Sequence, residues 1–456
     1  MSIRSQRAGK STRTEASSAS ARWQVWPPPE GTWVALAGLV PIFFAHYYYA
    51  ALNTETALSL IMVETLVLGA LLARKSYRRD LGRMRGLILP GALFTIVLAV
   101  GLLQLTPWAP GGPHPVWDYV GHGPGSTTID RSSTTVELIK LMGLACIFVL
   151  GGLTGASDGR ARTAVNVTLT LGLLLSLWAF FGSVTGTVFQ SGGRRLEGHF
   201  LNPNTAGTFM ASLLILNIAL LSRQLRTTKP AERVVAGAPL GATLFTFAIC
   251  LLMTASRGAA AAFVVAVIAF VSLQLFSSKL KVTRAFLLGL AGLLLGSCII
   301  YIAGDAVIDR LARSDRDAVV RTAIWAEHWR AFLGSPLLGY GIGSTETVNK
   351  TLISTTNFST LWNIKAILNV YLQWLEQAGL FGAVPMFACV GSIILTTLAG
   401  ALRRSRMTLV LFGLLSLDVV FLVHGATDFA LDAFSMAAMW SYFLGLQLAL
   451  SQGSSK

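Results

Sequence analysis

Stretches of about 20 apolar residues recur along almost the whole of this 456-residue chain, and few folds accept that pattern. A segment that long and that free of charge is solvated by lipid. In lipid each backbone N–H and C=O must find its partner within the segment, so the segment folds as a helix. Twelve spans are expected, near residues 32–50, 56–73, 86–106, 136–155, 163–184, 204–222, 237–254, 258–277, 285–304, 378–402, 407–425 and 433–451. Only 12% of the residues are charged, about half the share in soluble proteins. The fold class is therefore all-α: a polytopic transmembrane helix bundle of about 12 spans. Cys146, Cys250, Cys298 and Cys389 all fall in apolar runs. They read as small buried residues, without disulfide or zinc spacing.

The net charge of +15 sits in particular connections. Residues 1–30 read as a disordered basic tail, and no cleavable signal peptide precedes the first span. With the N-terminus in the cytoplasm, the inside segments are the tail, ARKSYRRDLGRMR, SDGRAR, RQLRTTKPAER, SKLKVTR, RRSR and Lys456. They carry 24 Lys and Arg against 5 Asp and Glu, while the rest of the chain carries 12 against 16. That asymmetry follows the positive-inside rule and puts both termini in the cytoplasm. The basic charge thus reads as orientation plus contact with anionic headgroups, not nucleic-acid binding. Four regions follow: the tail 1–30, spans one to nine over 31–304, a small periplasmic helical subdomain over 305–377, and spans ten to twelve with a short tail over 378–456. No inverted repeat of the kind many transporters carry is visible.

The polar residues that need explaining lie on the outer side. In RRLEGHFLNPNTAG, Arg194, Arg195, Glu197, His199, Asn202 and Asn204 crowd the mouth of span six. Asn202 suits a helix cap with Pro203 at the first helical position, but a cap does not account for two arginines. Arg257 stands in TASRG with almost no loop around it. It either snorkels to the headgroups or serves an anion site, since a cation at membrane depth costs about 2.5–3.5 kcal/mol on insertion scales. In 305–345 an amphipathic helix is expected, with Arg321, Trp325, His328 and Phe332 on one face. Arg310, Arg313 and Arg316 precede it, and a turn at Gly339, Gly341 and Gly343 follows. In KAILNVYLQWLEQAGLFG, Lys365, Asn369, Gln373 and Glu376 form a polar stripe, which reads either as a wet helix face or as part of a site. His424 and Asp428 are four apart at the outer end of span eleven. Glu64 and Asp418 lie within spans and need partners there.

GHFLNPNTAG, TASRGAAAAF, RTAIW followed by SPLLGYGIGS, and LNVYLQWLEQAGLFG occur in the order seen in bacterial O-antigen ligases and polymerases. The chain resembles that family over roughly 190–430. The resemblance implies an inner-membrane glycosyltransferase that takes a glycan from undecaprenyl diphosphate on the periplasmic side and passes it to a glycan or lipid acceptor. It implies diphosphate binding by Arg194 or Arg195, Arg257 and Arg321. Asn202, Asn204, Gly339, Gly341, Gly379 and Gly382 are expected to line or shape the site. One position departs from the ligase pattern: where such ligases carry His before Asn369, this chain has Leu368, which cannot accept a proton. Glu376 is then the first candidate base, with Asn369 beside it and His199 and His424 as others. No D-x-D cluster stands out, so neither metal nor other cofactor is expected. The alternatives are a transporter or flippase of the same lipid-linked glycan, which would share the arginines but lack the chemistry, and an inactive family member.

Overall fold

The structure, a computed structural model, describes residues 30–120, 123–186, 195–277 and 314–453. The expected ninth span, Arg194, Arg310, Arg313 and the side chain of Arg316 lie outside what is described. Among the described residues there are sixteen α-helices and no strand, as the apolar runs require. In order they are α1 (Glu30–Tyr47), α2 (Thr54–Leu72), α3 (Lys75–Gly82), α4 (Ile88–Gln104), α5 (Val116–Val120), α6 (Arg131–Gly155), α7 (Asp158–Thr185), α8 (Pro203–Thr227), α9 (Arg233–Met253) and α10 (Arg257–Phe276). After the undescribed stretch come α11 (Ser314–Gly334), α12 (Thr345–Leu352), α13 (Phe358–Leu361), α14 (Val370–Arg403), α15 (Thr408–Gly425) and α16 (Phe434–Ser451).

Nine helices among the described residues are long and apolar enough to cross a membrane: α2, α4, α6 to α10, α14 and α15. Burial ranks them. In α8 and α15, 83% of the apolar window is inside the protein, whereas in α9 the share is 17%. The first two form the centre of the bundle, and α9 turns most of its surface outward, where lipid would solvate it. Phe209, Ile215, Phe412, Leu414 and Phe421 fill the space around the central pair. Helix α6 meets α16 at backbone distance, because a Cβ on Gly151 would come 1.9 Å from Tyr442 O, and one on Gly445 would come 1.8 Å from Phe148 O. Small residues let helices approach this closely where lipid tails compete for apolar contact.

One end of the bundle gathers basic connections. Arg160 Nη2 lies 2.5 Å from Asp80, Arg404 Nη2 lies 2.6 Å from Asp158, and Arg226 donates to Gln274 Oε1 at 2.5 Å. The starts of α8, α10 and α14 lie at the opposite end, together with the close of α15. The two polar residues flagged inside spans differ. Asp418 accepts from Trp440 Nε1–H (2.9 Å) and Gln447 Nε2–H (2.7 Å). Glu64 is fully buried, and neither carboxylate oxygen has a hydrogen-bond partner among the described residues.

Candidate active site

Three arginines from separate segments reach two touching turns. Arg195, half-buried, donates Nε–H to Thr254 O (2.8 Å) and Nη2–H to Asn204 Oδ1 (3.0 Å) and Ala255 O (3.5 Å). Thr254 and Ala255 open the tight turn between α9 and α10. Ser256 caps α10 through the Ala259 N–H (3.4 Å), and Arg257, exposed, is the first residue of that helix. Gly258 follows because nothing larger fits: a Cβ there would come 2.8 Å from the His424 ring and 3.3 Å from Thr427 Oγ1. Arg321, on α11, donates Nη1–H to Thr427 O. The turns 254–257 and 424–428 therefore meet at Gly258; Arg195 bonds the first, Arg321 bonds the second, and Arg257 is part of the first.

Asn204 links this group to a carboxylate. Its Nδ2–H donates to Asp428 Oδ1 (3.3 Å) while its Oδ1 receives Arg195. Burial pushes the Asp428 carboxyl up to about 6, against the lowering pull of the Asn204 bond and the Arg321 charge. Its Oδ2 is buried with no hydrogen-bond partner among the described residues. His424 lies 2.5 Å from Thr208 Oγ1 through Nδ1. Asn202 caps α8, accepting from the Asn204 N–H (2.7 Å) and the Thr205 N–H (3.3 Å), with Pro203 next. Helix N-termini carry partial positive charge. Two of them, from α8 and α10, thus add to the arginines here, an arrangement suited to an anion.

The polar stripe of α14 divides among several tasks. Asn369 is the cap, accepting from Tyr371 N–H and Leu372 N–H (both 3.1 Å). Leu368 before it is in the left-handed region, φ +59°. Gln373 donates Nε2–H to Asp432 Oδ1 (2.9 Å) and accepts the Ile367 N–H (3.3 Å), so it ties Asp432 to the loop that holds Leu368. Glu376 is fully buried, 2.6 Å from His328 Nδ1 on α11. That pair joins the outer segment to the membrane helix, and losing one partner would strand the other at a cost of about 3–5 kcal/mol.

The glycines mark a joint. Helix α14 is interrupted at Gly379 (φ +57°, ψ −171°), a conformation open essentially only to glycine. The freed backbone pairs with 336–341: Tyr340 N–H donates to Glu376 O (3.0 Å), Gly341 N–H to Gln377 O (2.9 Å), Leu380 N–H to Pro336 O (2.8 Å) and Phe381 N–H to Leu337 O (3.0 Å). Gln104 completes the joint from α4, donating to Leu338 O (2.5 Å) and Gln377 O (2.8 Å) and accepting Ile342 N–H (3.0 Å). A Cβ on Gly339 would lie 2.4 Å from Glu376 O, and one on Gly382 would lie 2.6 Å from the Ala378 Cβ. Gly339, Gly341 and Gly379 therefore serve backbone docking at this joint, and Gly382 packs against Ala378 and Val100.

The structure thus brings Arg195, Asn204, Arg257, Arg321 and His424 together and places Asn369 nearby, since Val370 packs on Gly425. It sets two of the expected proton acceptors apart. Glu376 is enclosed with His328. His199 accepts Trp178 Nε1–H (2.8 Å) beside the Tyr47 ring (4.4 Å between centroids), and burial lowers its pKa from the usual histidine value. Two acidic residues not among the expected site residues lie close by: Asp428 bonds the group through Asn204, and Asp432 bonds Gln373. Their signal was present in VHGATDFALD, two carboxylates four apart beside a histidine at a span end.

No curated protein matches the chain. Residues 242–387 match the family profile described as O-antigen ligase. That stretch contains Arg257, Arg321, Leu368, Asn369 and Glu376, and ends before His424 and the two aspartates. The match supports transfer of glycan at a membrane as the general function. Helical spans and arginines at neighbouring turns thus accompany a stretch, residues 242–387, that is similar to the O-antigen ligase family.

Proposed function

We propose that the protein is an inner-membrane glycosyltransferase that moves a glycan from a polyprenyl diphosphate, undecaprenyl diphosphate in a bacterium, to a glycan or lipid acceptor on the periplasmic side. The observation that carries this reading is the meeting of Arg195, Arg257 and Arg321 at the end of the bundle opposite the basic connections. Arg194 belongs to the same reading by its place in the sequence. Guanidinium groups match phosphate oxygens in shape and charge. The donor's lipid tail would lie in the bilayer beside the bundle and its diphosphate at this end.

The chemistry follows from charge. As the anomeric C–O bond breaks, its electron pair goes to the diphosphate, and negative charge grows there while the acceptor hydroxyl attacks. Arginines already fixed by carbonyls need no reorientation, so they stabilise that charge most in the transition state. Donors of this kind contribute about 10²–10³ each in rate. Asn204 sets Arg195 at its angle, and the dipoles of α8 and α10 act in the same sense.

The test is incubation of the purified protein in detergent with a polyprenyl-diphosphate-linked oligosaccharide and an acceptor. Release of polyprenyl diphosphate with a longer or relocated glycan is expected. In Arg257→Ala and Arg321→Ala, turnover should drop about 100-fold or more with membrane insertion intact. Scrambling of the lipid-linked glycan across liposomes without turnover would instead establish the transport reading that Leu368 invites. Unchanged turnover in both variants would remove these arginines from the site.

A further inference from the structure

The ligase pattern puts an imidazole where this chain has Leu368, and the residues around that gap show what can stand in for it. Gln373 holds the gap's loop with one end and Asp432 with the other: its Oε1 takes Ile367 N–H and its Nε2–H reaches Asp432 Oδ1. Asp432 is not fully buried as a residue, whereas Glu376 is. Asp428, four residues earlier in the chain, carries the orphaned Oδ2 and contacts the arginine group through Asn204. Asp432 therefore stands near Asp428 and is tied through Gln373 to the loop that holds position 368.

We propose that Asp432 takes the proton from the acceptor hydroxyl as it attacks, in place of the imidazole absent at position 368. This rests on the transferase reading above. In the step, the acceptor oxygen bonds to the anomeric carbon and the bond to the diphosphate oxygen breaks. The electron pair leaves with the diphosphate, and the hydroxyl proton passes to the Asp432 carboxylate and later to water.

The surroundings fit a base. Desolvation pushes Asp432 up to about 7, the Gln373 bond works against this, and the negative charges of Glu137 and Asp428 push it further up while Lys140 on α6 pulls it down. Glu137 and Lys140 face each other at 2.5 Å. Arg321 bears on Asp428 and His424. A base whose pKa lies near the working pH combines availability with driving force.

The experiment compares Asp432→Asn, Asp432→Glu and wild type for kcat, donor KM and the pH dependence of kcat. In Asp432→Asn, kcat should fall about 10²–10⁴-fold with donor KM little changed. The acid limb expected in wild type near neutral pH should vanish. Asp432→Glu should retain part of the rate, and Leu368→His should restore turnover in the Asp432→Asn background. A merely structural tie to Gln373 would move KM and folding and leave the limb in place. If Asp432→Asn turns over like wild type or keeps the limb, the proposal falls. If Asp432→Asn does not fold, Asp428→Asn decides: removing the neighbouring negative charge should shift the acid limb to lower pH, and an unmoved limb overturns the proposal. Absence of turnover in wild type with the polyprenyl-diphosphate donor would instead bring down the transferase reading itself.

Discussion

The two ends of the bundle treat arginine differently. At the basic end Arg160 and Arg404 each meet a carboxylate, at 2.5 and 2.6 Å, and Arg404 also donates to Leu450 O. At the other end Arg195 and Arg321 are positioned by carbonyl oxygens and by the Asn204 amide. A carboxylate fixes a guanidinium and cancels its charge, whereas a carbonyl fixes it and leaves the charge in place. The first arrangement anchors helices to each other. The second positions Arg195 and Arg321 through neutral oxygens beside the buried Asp428.

This contrast can be broken by substitution, and the largest effect is expected at the end that holds Arg195 and Arg321. Arg321→Ala should reduce glycan transfer about 10²–10³-fold with thermal stability close to wild type. Arg404→Ala should do the reverse, leaving the rate per folded molecule unchanged. A transfer rate that tracked Arg404 instead would erase the distinction between the ends.

Next in size is a pH effect at Asp428. Its folded pKa of about 6 lies above the ordinary 3.8. Below about pH 4 the group is protonated in both folded and unfolded chains and exacts no penalty. As pH rises through 6 the folded state must bear a buried negative charge, and stability falls. At about 1.4 kcal/mol per unit, Asp428→Asn should stabilise the protein by up to about 3 kcal/mol at pH 7 to 8. The gain should disappear near pH 4, as measured by thermal unfolding in detergent. A constant gain at all pH values would contradict the buried-carboxylate picture.

The loss of stability in Arg404→Ala should be about 1.5–3 kcal/mol, the usual worth of hydrogen bonds to a charged group. Smallest of all is Glu327→Ala, which breaks an exposed pair with Arg330 on α11. Surface pairs of this sort contribute below about 1 kcal/mol, so a shift in Tm beyond that would mean that α11 depends on more than its buried face.

Much of this was legible in the chain. Apolar run length dictates helices in lipid, and the spans expected around 163–184 and 204–222 appear as α7 and α8 with longer ends. Asn202 caps where its type and the following proline indicate. The face expected for Arg321, Trp325 and His328 is the one α11 uses, touching Thr427 O, Ile367 O and Glu376. What periodicity could not give is which residues meet across the bundle. A stripe on a helical wheel put Gln373 and Glu376 together, yet their partners, Asp432 and His328, come from opposite sides in sequence. The break at Gly379 was likewise hidden, because a glycine inside an apolar run looks the same whether it bends the backbone or only makes room.

That break has a consequence for how substrates enter. The four backbone hydrogen bonds exchanged between 336–341 and the ends of the interrupted α14 turn would all be lost if the outer segment swung away as a flap, exposing backbone groups close to hydrocarbon at several kcal/mol apiece. Residues 336–341 are thus riveted to α14. On the transferase reading, a substrate arriving here would meet a fixed segment and not one that hinges.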